Sequence, residues 1–339
     1  MFNDLINARM LTRGAIFLAP IFLMGLLTGD PIWFRVEIVT VSMFIAAERA
    51  QLAPLGVILH ALIMVAGFLA VIASLGHPVS FVVAAVLLAV ACVGVTRQGT
   101  HMRWAGTFTF IPVFYIACVT ANDAKAQDLA RIGLETAPYL ILAALPVLVD
   151  AIICHRRKRS AGGKYRPSTH AIRYIKETPA DGWFEAVIAA ALAVGIAASF
   201  VEWAGIHYAQ WLVWSAASVV TGDIVTARAK FRDRAIGAIA GVPLGMLAGM
   251  LMPHTPLLLD VMTAATVLTL VAFNRYVVAF GTRCALHAVT LIVAGHAIMS
   301  ADVRATNVVI GSAIGIVLVF GTNWTMRSAA RWPVIRNSR

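Results

Sequence analysis

Long apolar runs recur along the whole chain, and short polar or basic segments separate them. Read as helices, the runs predict twelve membrane spans. The first six are 14–29, 32–47, 55–75, 78–96, 103–121 and 134–154, and the second six are 184–203, 209–222, 235–252, 256–273, 277–299 and 305–324. Several are shorter than the roughly 20 residues that a perpendicular helix needs, so tilt or enclosure by neighbours is expected of them. The run at 209–222 is the weakest of the twelve. The 13-residue segment Asn122 to Leu134 between spans is mixed in charge and reads as a short surface helix.

Composition agrees with the pattern. The chain has 339 residues, of which 60% are hydrophobic and 13% charged, and its mean hydropathy is +0.84. That is the balance of an all-α polytopic membrane protein. The net charge of +11 would suit a nucleic-acid ligand, but the cations sit between apolar runs, where loop charges sit, so no nucleic acid is expected. Cys92, Cys118, Cys154 and Cys284 lie in or beside apolar runs without CxxC or metal-like spacing, and read as small apolar residues. The first run follows Arg9 and Arg13 as in a signal peptide. It lacks a small-x-small site before Asp30 and Pro31, so it is expected to remain as the first span.

The basic residues set the orientation. With the N-terminus in the cytoplasm, 22 of the 27 Lys and Arg fall in inner segments and three (Lys125, Arg131 and Arg304) in outer ones; Arg35 and Arg283 lie within spans. Both termini are then cytoplasmic. The basic segment 155–182 divides the chain into a six-span block at 1–154 and a second at 183–326, with a basic tail at 327–339. Six is even, so the two blocks would be parallel repeats about an axis along the membrane normal.

The stretch Arg228 to Met250 holds the clearest packing signal. It opens with Arg228, Lys230, Arg232 and Arg234, then turns apolar and carries Gly237, Gly241, Gly245 and Gly249. Steps of four residues place these glycines in one stripe, roughly 18 Å long, along a helix. A stripe without side chains lets a second backbone come close, as membrane helices do where no hydrophobic effect separates helix from lipid. Pro243 interrupts the ladder in mid-span, which neighbouring helices can tolerate. Gly311 and Gly315 give the last span a shorter pair.

Gln210 to Gly249, QWLVWSAASVVTGDIVTARAKFRDRAIGAIAGVPLGMLAG, resembles the fusaric-acid-resistance and aromatic-acid-exporter family. A Trp-led span, a polar turn, a basic turn ending in Arg and a Gly-every-four span carry the likeness. Arg234, Gly237 and Gly241 stand where that family has its Arg and following glycines, and Arg304 to Thr322 looks like its last span. The resemblance implies efflux of aromatic or other organic acid anions, often beside a periplasmic adaptor and an outer-membrane channel. The large cytoplasmic domains common in the family are replaced here by a 28-residue loop and a short tail.

Ionisable residues inside spans are costly and mark function by default. Arg283 and His287 share one face of the eleventh span, and a guanidinium can hold a carboxylate in two-pronged fashion. The rival for Arg283 is a partner acid such as Asp223, or snorkelling to the surface. Arg35 with Glu37 suits an outer gate that also touches the anion. His296, Asp260 and Glu202 are candidates for proton transfer in a coupled exporter. Glu48 is expected to pair with a basic segment, and His60 to bond between helices. Trp104, Phe108, Phe110, Phe114 and Tyr115 crowd the fifth span, as packing residues or as a stacking surface.

No paired-aspartate metal motif, GxSxG, HExxH or phosphate loop occurs, so no enzyme, cofactor or metal is expected. The first expectation is a secondary transporter for organic anions. A passive anion channel on the same scaffold, a membrane enzyme and an assembly subunit are the rivals, and the oligomeric state is left open.

Overall fold

The computed structural model describes residues 5–122, 124–160, 171–172, 182–206, 209–220, 224–295 and 299–336. Twelve α-helices fill them. They are α1 (Ala8–Thr28), α2 (Ile32–Arg49), α3 (Pro54–Ser74), α4 (Pro78–Gly94), α5 (Met102–Ala121), α6 (Leu129–Ser160), α7 (Trp183–Ala204), α8 (Ala209–Val219), α9 (Ile224–Leu251), α10 (Pro256–Ala272), α11 (Tyr276–Val293) and α12 (Met299–Arg336). Each matches one expected span. Among the described residues there is no β-strand, only isolated bridges between Ile6 and Phe273 and between Leu52 and Ile172.

Two expectations change. The segment at 122–134 holds only a short 3-10 turn, Ala126–Asp128, and α6 then starts at Leu129. The basic stretch 228–234 is no loop but the first turns of α9, because nothing between Ile224 and Arg234 breaks a helix. The first six residues of the expected linker, 155–160, continue α6, and most of the rest lies outside the described residues. Its Ala171 carbonyl accepts a hydrogen bond from the Ala53 amide at 2.8 Å.

Nine helices among the described residues are long and apolar enough to cross a bilayer, and α10 is a shorter apolar one. The exceptions, α2 and α8, sit inside the bundle. Fourteen of the 18 residues of α2 are buried, and α2 packs against α1, α3, α5, α6 and α10. It carries Arg35, Glu37, Glu48 and Arg49, charges that lipid would not accept but neighbouring helices can shelter. In α8, 11 residues long, Trp211, Leu212, Val213, Trp214 and Ala216 are all buried. The outer helices show the reverse. Leu27, Val79, Leu87, Ile239, Leu251 and Val317 are exposed, as side chains facing lipid should be.

Small residues set the close contacts. The stripe on α9 faces α11. A Cβ on Gly237 would lie 2.9 Å from the Gly281 nitrogen, one on Gly241 would overlap the Gly281 carbonyl, and one on Gly245 the Ala285 carbonyl. Gly249 faces Ile292. Gly311 and Gly315 do the same for α12 on α8, against the carbonyls of Leu212 and Ala216. Elsewhere α1 packs on α10, with Gly14 against Val271, and α7 packs on α4.

The chain's first described residues fix one end of the bundle, here called proximal. The Asn7 amide donates to the Ala272 carbonyl at 2.8 Å and the Asn274 amide to the Leu5 carbonyl at 2.9 Å. The start of α1 therefore sits beside the α10–α11 turn. The start of α10 and the α1–α2 turn lie at the opposite, distal end. Near the proximal end Arg13 pairs with Glu48 at 2.8 Å and Asp150 at 3.4 Å, joining α1, α2 and α6. Glu48 thus meets an arginine of α1 rather than a basic loop. His60 makes the expected interhelical bond, 2.8 Å to the Thr109 hydroxyl.

Candidate functional site

Two neighbouring cavities lie between α2, α5, α8, α9, α10, α11 and α12. The larger, a vestibule of about 320 Å³, begins at the proximal end beside Asn7, Arg49, Lys230 and Asn274 and reaches Arg234 and Arg283. The second, a chamber of about 90 Å³, lies deeper. Trp214, Leu270 and Arg283 line both, so Arg283 stands in the wall the two cavities share.

Three buried arginines line these two cavities, each placed by a different helix. Arg234, 3% exposed, stands on α9 above the glycine stripe. Its Nη2 donates to Ser215 Oγ at 2.6 Å, its Nε to Ser312 Oγ at 3.2 Å and its Nη1 to the Tyr276 hydroxyl at 3.3 Å. The guanidinium also lies 4.4 Å from the Phe280 ring centroid. One side chain so ties α8, α11 and α12 to α9. Arg283, on α11, donates from Nε to Thr269 Oγ1 at 2.9 Å. It neither snorkels nor pairs with an acid among the described residues; Asp223 lies outside them. Arg304, on α12, has its guanidinium carbon 3.6 Å from the Trp211 centroid, while its Nε and Nη1 have no hydrogen-bond partner among the described residues.

Arg304 was expected in an outer loop. The structure corrects this: α12 begins six residues earlier than the apolar run suggests, and Arg304 is 3% exposed. Each of the three arginines lies within electrostatic range of the other two. Among the described residues none of them forms an ion pair. Three like charges held close with only hydroxyls, sulfur and rings around them leave positive potential for an anion to fill.

The chamber walls are aromatic as well as cationic. Trp211 and Trp214 stack with centroids 4.9 Å apart, and Tyr115 meets them edge-on at 5.9 and 6.3 Å. His287 lines the same chamber, 5.2 Å from Trp211. Thr263, Thr266 and Thr290 add hydroxyls. Of the crowded aromatics of α5, Trp104 and Phe108 line the vestibule and Tyr115 the chamber, while Phe110 and Phe114 stack on each other in the core.

The other expected residues lie elsewhere. Arg35 lines a distal cavity of about 450 Å³ with Asp30 and Glu135. Glu202 lines a separate cavity of about 350 Å³ with Gln210. Asp260 sits near the distal start of α10, and His296 lies outside the described residues. Glu37 does not share Arg35's surroundings, being fully buried. Arg283 and His287 are therefore brought together, while Arg35 and Glu202 stand apart from them. Sequence reasoning missed Arg304, Trp211 and Trp214 as site residues. Starting the last helix at Met299 would have made Arg304 an arginine inside a span, the one available signal.

Comparison with curated proteins and with solved structures finds no match to this chain. A comparison with family models does, and the matched residues contain all three buried arginines together with α8 and the glycine stripe of α9. Residues 196–318, the part of the chain that builds the cationic chamber, match the family described as fusaric acid resistance protein-like.

Proposed function

We propose that the protein is a membrane permease for organic anions, an exporter of aromatic carboxylates or similar acids, driven by a proton gradient. The observation that carries this reading is the trio Arg234, Arg283 and Arg304, buried around two adjoining cavities without a carboxylate partner among the described residues. Keeping an arginine at membrane depth costs on the order of 3 kcal/mol. An anion that passes along the three offsets that cost while it is bound. Trp211, Trp214 and Tyr115 favour an aromatic body on the anion, because ring faces and edges stack without needing hydrogen bonds.

The proximal vestibule would face the cytoplasm, as the charge count of the loops favours. Arg49 and Lys230 at its mouth would draw anions from there. The reciprocal packing of α1 on α10 and of α7 on α4 supports a two-block arrangement about an axis along the membrane normal. The distal cavities at Arg35 and Glu202 would be the exit side. A periplasmic adaptor and an outer-membrane channel are the partners that the family likeness suggests.

Replacement of Arg283 tests the reading. Arg283→Lys keeps the charge but loses the fork, and Arg283→Ala loses both. Losing charge-assisted bonds of about 1.5–3 kcal/mol should weaken benzoate binding roughly ten- to a hundredfold. Binding to purified protein and uptake into liposomes should both fall in the order wild type, Lys, Ala. Normal binding and transport by a folded Arg283→Ala protein would refute the anion site.

A further inference from the structure

Glu37 stands in the second turn of α2, the most enclosed helix of the bundle, and is 0% exposed. Neither of its carboxylate oxygens has a hydrogen-bond partner among the described residues. A carboxylate stripped of water, donors and cations is costly to keep ionised, and that cost vanishes when it carries a proton.

The helices packed on α2 offer Glu37 little else to interact with. α10 contains a single titratable group, Asp260, and Asp260 acts electrostatically on Glu37. α1 contains only Arg9 and Arg13, near its proximal start. α3 contains only His60, which bonds to Thr109. α5 contributes Arg103 at its start, with Tyr115 and Cys118 in its distal half. On α6 the distal groups are Arg131 and Glu135, paired with each other, and Tyr139, bonded to Asp30; Asp150 is held by Arg13, and Cys154 and His155 lie farther on. On α2 itself Arg35 turns to the distal cavity, while Glu48 and Arg49 lie at the far end.

α10 packs on α2, and a negative charge on Asp260 disfavours a second one on the buried Glu37, so the two helices are held best when Glu37 carries a proton. This contact also borders the anion path. Ile38, next to Glu37, lines the chamber. So do Thr263, Thr266, Val267 and Leu270 of α10, beginning one turn after Asp260.

We propose that Glu37 and Asp260 form the proton-binding pair that couples proton flow to anion movement, with Glu37 as the inner site and Asp260 as the group that exchanges with the distal side. The proposal rests on the transport reading above. A proton adds to one carboxylate oxygen and lets α10 close on α2 over the chamber. Its departure to water leaves a negative charge on each of the two packed helices and drives α10 away, opening the chamber distally. No other bond is made or broken.

The test uses the full chain in liposomes with benzenesulfonate, an aromatic anion too acidic to leak through lipid as a neutral acid. Two rates are measured: uptake driven by an imposed pH gradient at clamped voltage, and exchange of labelled for unlabelled benzenesulfonate without a gradient. The wild type should perform both. Glu37→Gln, close in shape but without a titrating proton, should lose gradient-driven uptake, keep exchange, and make exchange independent of pH. Asp260→Asn should slow the gradient-driven rate and leave exchange. Gradient-driven uptake by Glu37→Gln overturns the proposal, as does loss of both activities in a folded variant, or wild-type uptake that ignores the gradient. A wild type that neither binds nor exchanges the anion brings down the transport reading itself, and this inference with it.

Discussion

A single methyl group on Gly241 should have an outsized effect. A Cβ at this position would lie 3.0 Å from the carbonyl carbon of Gly281, nearer still to its oxygen, and 3.1 Å from Cys284 Cβ. Comfortable carbon contacts are about 3.5–4.0 Å, so α9 and α11 must part by roughly half an ångström to one ångström. Backbone atoms cannot swing aside as side chains do, and such overpacking costs about 1–3 kcal/mol. Alanine recovers at most about 1 kcal/mol over glycine through helix propensity. The net for Gly241→Ala is a loss of up to roughly 2 kcal/mol, and Gly241→Leu should fail to assemble. Gly321 supplies the control. It lies in α12 with nothing within 4 Å of an added Cβ, so Gly321→Ala should be neutral or slightly stabilising. Thermal melts of the purified variants would compare them. Benzoate binding should weaken in Gly241→Ala too, since α9 carries Arg234 and α11 carries Arg283. Equal melting of Gly241→Ala and wild type, or an equal loss in Gly321→Ala, would refute the packing argument.

Arg304→Met keeps the bulk over Trp211 without the charge. It should fold as well as wild type, or better, and bind benzoate roughly tenfold more weakly; titration calorimetry beside a melt would separate the two effects. Trp211→Leu should lower affinity for benzoate more than for acetate, by an order of about 1 kcal/mol of ring contact, and equal losses would count against stacking. For orientation, Lys164→Cys should resist a membrane-impermeant maleimide in intact cells while Lys125→Cys reacts, and the opposite pattern would reverse the topology.

Helix positions were legible because lipid demands long apolar runs whatever the neighbours are. The glycine stripe of α9 was legible for a related reason, since four glycines on one face have little use other than a near backbone. Arg283 and His287 lay on one helix, where spacing alone brings them together. What the sequence hid was decided between helices. That α2 and α8 are enclosed follows from which helices surround them, and the short length of α8 is only a weak sign of it. Arg304 was misplaced because an arginine beside polar residues reads as loop, although Trp211 of another helix shelters it. Arg35 and Glu37, two residues apart, point to opposite sides of α2 whatever surrounds it, but which of those sides is enclosed depends on the helices packed there.

The proximal clasp between the chain's first residues and the α10–α11 turn bears on how the protein is made. Asn7 bonds to the carbonyl of Ala272, and Gly14 packs against Val271. These partners are made more than 240 residues after the end of α1. Through most of synthesis, the face of α1 that will meet α10 must be covered by lipid or an insertion factor. Late completion of α10 is then the event that fastens the beginning of the chain, so truncation before Pro256 should expose α1 to quality-control proteases even though its own sequence is intact.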